Sequence, residues 1–87
     1  MEVSVWDTYV QREDDKLMHF DILVPSEIMD EETIFGFGKQ YLKTKPFRVK
    51  QLSAKECRFC HIEKATEKMM ASIENKGFHI IEMENCN

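Results

Sequence analysis

Hydrophobic and polar positions alternate twice near the start of the chain. Val3-Ser4-Val5-Trp6-Asp7-Thr8-Tyr9-Val10 is rich in β-branched and aromatic residues, and Leu17 to Val24 places Met18, Phe20, Ile22 and Val24 on one alternating face. The polar stretch Gln11-Arg12-Glu13-Asp14-Asp15-Lys16 between them is short. Together the runs predict a β-hairpin. Pro25-Ser26 closes its second strand, because proline offers no N–H to a ladder and serine favours a turn or cap.

The period then changes. Ile34, Phe37, Tyr41 and Leu42 recur at helical spacing and predict an amphipathic helix over 31–45, stopped by Pro46. Gly36 and Gly38 lie inside it, each costing about 1 kcal/mol relative to alanine, which points to close approach to the sheet or to something bound. Phe47 to Leu52 alternates as a third strand. Ser53-Ala54-Lys55-Glu56 has capping-box spacing and predicts a helical turn starting just before Cys57. Thr66-Glu67 opens a second helix with Met69, Met70 and Ile73 on its apolar face and Gly77 as left-handed terminator, and Phe78 to Met83 forms a last strand. The order is ββαβαβ. Helical connections ordinarily join parallel strands, so the expectation is a single α/β (α+β) domain over 1–87, with a four-stranded mixed sheet and two helices packed on one face.

Composition narrows the class. The chain has 87 residues, 43% hydrophobic and 32% charged, a size that buries about 60–65% of the surface its unfolded form exposes. A metal, a disulfide or a second copy would therefore add noticeably to stability, and a homodimer is reasonable on these general grounds. No run reaches the roughly 18 apolar residues of a membrane span, and the first fifteen residues hold five acids where a signal peptide is basic and then apolar. A cytoplasmic protein that does not engage membranes is expected. In that reducing compartment three cysteines read as thiols, metal ligands or redox groups before disulfides. The net charge of −4 argues against nucleic acid as a partner. That charge is uneven: residues 1–32 hold ten acids and two bases, 33–58 seven bases and one acid, and 59–87 five acids and three bases. The predicted 31–45 helix explains half of the basic middle, since Asp30, Glu31 and Glu32 would sit at its positive end and Lys39, Lys43 and Lys45 at its negative end. Arg48, Lys50, Lys55 and Arg58 are left over.

Candidate chemistry concentrates in Cys57-Arg58-Phe59-Cys60-His61. The C-x-x-C-H spacing is that of c-type haem attachment, a reaction performed outside the cytoplasm and so discounted here. As half of a zinc site, Cys57 and Cys60 would need two more ligands, which Cys86 with His19, His61 or His79 could supply; on a helical turn Cys57, Cys60 and His61 share one face. As a redox couple, Cys57 would be the nucleophile and Cys60 or Cys86 the resolving thiol, activated by a helix N-terminus. As plain packing, the cysteines would be small hydrophobes. A weaker constellation lies on the hairpin, where Asp7, His19 and Asp21 could meet on one side and a carboxylate could orient the imidazole. Gly36, Gly38 and Gly77 match no nucleotide-binding loop. With no substrate motif, an enzymatic role is not indicated.

Four blocks in order, Val5-Trp6-Asp7-Thr8-Tyr9-Val10, Met18-His19-Phe20-Asp21, Glu56-Cys57-Arg58-Phe59-Cys60-His61 and Gly77-Phe78-His79-Ile80-Ile81-Glu82-Met83 with Cys86, resemble a bacterial domain-of-unknown-function family, number 2024. The resemblance spans nearly the whole chain and implies a small α/β domain without assigned activity. Relatives often look to have a glycine after aspartate in the hairpin turn, where this chain has Asp14-Asp15-Lys16.

Overall fold

The computed structural model describes residues 1–50 and 57–87. The two alternating runs form strands β1 (Glu2–Gln11) and β2 (Leu17–Pro25), paired antiparallel from Val3↔Pro25 to Gln11↔Leu17. Their turn is held by Arg12 N–H to Lys16 O at 2.8 Å and Asp15 N–H to Arg12 O at 3.2 Å. Asp15 takes φ 68°, the left-handed conformation glycine adopts freely and a short polar side chain tolerates. Helix α1 (Glu31–Leu42) is capped by Asp30, whose carboxylate accepts from Thr33 N–H, with Glu31 and Glu32 in its first turn. Strand β3 is Cys57–Lys64, helix α2 is Glu67–Lys76 and strand β4 is His79–Glu84. Thr66 caps α2 by accepting from Met69 N–H at 3.2 Å, and Gly77 ends it at φ 91°.

The order ββαβαβ is as expected, in an α+β fold whose sheet runs β3-β1-β2-β4. The sheet is antiparallel throughout and not mixed, since β3 pairs with β1 and β4 with β2, both antiparallel. The reason is an inserted strand. β2 and β3, joined through α1, do run in the same direction, but β1 lies between them and pairs with each. The two helices also cover opposite faces instead of one. α1 contributes Ile34 and Tyr41 to a core with Trp6, Phe20 and Ile22, whereas α2 sets Ile73 against Val3, Val5 and Leu23. Alternation in a strand makes these the even-numbered and odd-numbered faces of the hairpin.

Two local expectations change as well. The segment before the cysteines is not followed by a helical turn, because Cys57–Lys64 is strand; the 53–56 capping box itself lies outside the described residues, as do Gln51, Leu52 and Lys55. Of the third strand expected at 47–52, the described part makes only a single bridge, Val49 to Arg12. Gly36 is not required by close approach, since a Cβ there would meet nothing within 4 Å.

One buried polar contact is fixed early in the chain. The Trp6 indole N–H donates to Ser4 Oγ at 3.1 Å, both residues being buried beneath α1 and the segment before it. Ser4→Ala removes the acceptor and leaves that N–H without a partner. A loss of about 1–3 kcal/mol in urea-denaturation stability is expected; an unchanged midpoint would show that the indole finds another acceptor.

Candidate functional site

The second face of the hairpin is covered only in part. A ten-residue helix reaches about 15 Å, enough to shield Val3, Val5 and Leu23 but not the outer end of the strands. There the odd positions turn polar: Asp7 lies opposite Asp21, and Tyr9 opposite His19. His19 Nε2 lies 3.6 Å from Asp7 Oδ1 and 3.7 Å from Asp21 Oδ1. The three ligand-type atoms lie within 4.8 Å of one another, and this is the group of three or more such side chains found among the described residues. Tyr9 stacks on the imidazole at 4.1 Å with rings 10° from parallel, which holds it against the carboxylates.

Two atoms of this group are buried and have no hydrogen-bond partner among the described residues, His19 Nε2 and Asp21 Oδ1. Buried polar atoms are ordinarily satisfied, so a pair facing one another marks a place where a ligand or ion would complete the bonding. The carboxylates differ in character. A hydrogen bond from the Asp21 carboxyl holds Asp7 below the usual carboxylate range against the opposing effect of its burial, with Cys60 and His19 also lowering it. Burial first, and then the Asp7 carboxylate, push Asp21 up to about 6. The two carboxylates repel one another, so Asp21 ionises at a higher pH than Asp7.

The sequence-predicted residues divide between the faces. Cys60 and His61 stand beside the hairpin group, because β3 carries an irregularity opposite Val5 and Trp6 that leaves Cys60 out of the regular pairing. Cys60 interacts with Asp7, and its Sγ lies 3.1 Å from His61 Nδ1. His61 Nε2 lies in turn 3.5 Å from Glu63. Cys57, by contrast, is buried in the core with Trp6, Phe20 and Tyr41. Cys86 is buried there too, its thiol donating to the His19 and Glu84 carbonyls at 3.4 Å. His79 is elsewhere, 2.9 Å from Ser72 Oγ. The structure therefore does not gather Cys57, Cys60 and Cys86. It brings His19, Cys60 and His61 around Asp7 and Asp21, the carboxylates that the cysteine motif gave no reason to include. Their signal was the odd-position register of a hairpin already legible in the alternation.

An antiparallel sheet with one helix on each face defines a small α+β protein, with two aspartates and a histidine meeting on the part of one face that α2 does not cover. The chain belongs to the family described as Domain of unknown function (DUF2024), which matches residues 1–83. It is similar over its full length to protein NE1680 from Nitrosomonas europaea, a structural-genomics target solved by NMR, at 36% identity, with a TM-score of 0.81 and 100% of both chains covered. No curated protein matches it. No helix among the described residues is long and apolar enough to cross a membrane.

The raised Asp21 makes a prediction about the metal-free protein. A carboxyl whose folded-state value lies above its unfolded 3.8 favours folding when protonated, and that contribution is lost as pH rises through about 6. Asp21→Asn keeps the shape and removes the charge. In chelator at pH 7.5 it should stabilise by about 1 kcal/mol, a figure reduced for solvent at the open side of the site. It should also flatten the rise in stability between pH 7 and 4. Urea denaturation across that range measures both; a less stable variant at pH 7.5 would contradict the assignment.

Proposed function

We propose that this protein binds a divalent transition metal, zinc before others, through Asp7, His19 and Asp21, with Cys60 the nearest further donor and His61 beside it. The observation that carries the reading is the facing pair of buried, unpartnered atoms, His19 Nε2 and Asp21 Oδ1, with Asp7 alongside. Spacing supports it. Ligands about 2.1 Å from a tetrahedral zinc stand about 3.4 Å apart, close to the 3.6 and 3.7 Å separations here. Donor type supports it too, since imidazole with carboxylate suits zinc better than the all-oxygen sets preferred by calcium and magnesium. A bound dication would also relieve the repulsion between Asp7 and Asp21.

A thiol couple of Cys57 and Cys60 is less favoured. The two sulfurs belong to opposite faces of the sheet, and desolvation together with the Asp7 carboxylate raises the Cys60 thiol, the reverse of what an attacking thiolate needs.

Protein purified without chelator should carry close to one zinc per chain by elemental analysis, and metal-free protein should take up zinc in a saturable titration. His19→Ala and Asp21→Asn should weaken uptake about tenfold or more, and Cys60→Ser by less. Cys57→Ser and Cys86→Ser should leave it unchanged wherever they fold. Absence of saturable uptake by the unmodified protein, or full uptake by His19→Ala, would overturn the reading.

A further inference from the structure

Arg48 and Lys50, two of the four basic residues that the helix dipole does not account for, have a place. The last turns of α1 and the following segment enclose a cavity of about 470 Å³, within the ordinary size range of small-molecule sites. Its rim carries Lys39, Lys43, Lys45, Arg48 and Lys50 against a single acid, Glu13. Its apolar lining is Phe35, Leu42, Phe47 and Val49. The enclosing segment is fastened to the hairpin by Glu13 N–H to Arg48 O at 3.1 Å and Lys50 N–H to Gln11 O at 2.8 Å. Phe47 is fixed from behind by the Arg12 guanidinium, 3.6 Å from its ring centre.

Charge decides what would enter. In a chain of net −4, five cations around one cavity repel one another and favour an anion, although Lys39 also sits 5.3 Å from the Phe35 ring centre. Helix α1 ends here, but its terminus supplies only about half a negative charge. Lys45 is paired with Glu82; Lys39, Lys43, Arg48 and Lys50 meet no carboxylate among the described residues. A carboxylate would answer only one of the four. A phosphate monoester carries about −1.5 to −2 at neutral pH and three acceptor oxygens, and arginine binds it with two parallel bonds. The aromatic lining suits a flat apolar body attached to it.

We propose that this cavity binds small aromatic phosphate monoesters, with Lys39, Lys43, Arg48 and Lys50 around the phosphate and Phe35, Leu42 and Phe47 against the ring. The site lies on the α1 side of the sheet, away from Asp7, His19 and Asp21, and does not depend on metal.

The test is titration of ¹⁵N-labelled protein at low salt with adenosine monophosphate, phenyl phosphate and inorganic phosphate, followed by amide shifts. At least one of the two aromatic esters should saturate about tenfold or more tighter than inorganic phosphate, with the shifted amides around Phe35, Leu42 and Phe47. Tighter binding of the nucleotide would identify a nucleobase as the preferred body, and tighter binding of phenyl phosphate a smaller ring. Lys43→Glu with Arg48→Glu, both at exposed positions, should weaken binding about tenfold or more at unchanged melting temperature; the two glutamine substitutions serve if the charge reversals do not fold. Equal affinity for inorganic phosphate, no saturation by either ester, indifference to the paired substitution, or shifts centred on Asp7 and His19 would each overturn the proposal.

Discussion

The register that sets Asp7 opposite Asp21 is the constraint from which the rest of the structure follows. A slip of one residue in either strand would exchange its faces and turn Trp6 and Val10, or Phe20 and Ile22, away from α1. The core therefore admits one pairing. That pairing also places two carboxylates directly across from each other, an arrangement that weakens a sheet. Nothing in the core requires acids there. The chain keeps a destabilising pair at the centre of the β1–β2 hairpin, with the His19 imidazole beside it.

Much of the fold was legible because it rests on local signals. The hairpin, the acids at the start of α1, Thr66 at the start of α2 and Gly77 as terminator are written in period and residue type. The sheet's topology was not, since it depends on which strands become neighbours. Nothing in the helical link from β2 to β3 announces that β1 will lie between them. The second helix-bearing face had left a trace in Ile22-Leu23-Val24, three consecutive apolar residues where a strand buried on one side would alternate. Cys57-Arg58-Phe59-Cys60-His61 has a spacing that gathers side chains on the helical turn expected there and divides them on the strand it forms.

The two faces of the sheet are consequently different instruments. Under α1 lie the large aromatic and aliphatic side chains, with Cys57 and Cys86 among them as apolar sulfurs. On the other side, α2 covers three aliphatic residues and stops, leaving the hairpin's outer half to Tyr9, His19 and the aspartates. The acidic group and the basic cavity thus stand apart, on opposite sides of the sheet.

Arg12 joins what the chain keeps furthest apart. Nearly buried, its guanidinium binds Asp14 in the turn at 2.6 and 3.0 Å, stacks on Phe47, and donates to the Asn85 and Asn87 carbonyls at 3.0 and 2.7 Å. Cys86 lies between these two carbonyls, so release of this short segment from Arg12 would expose its sulfur without loss of the whole fold.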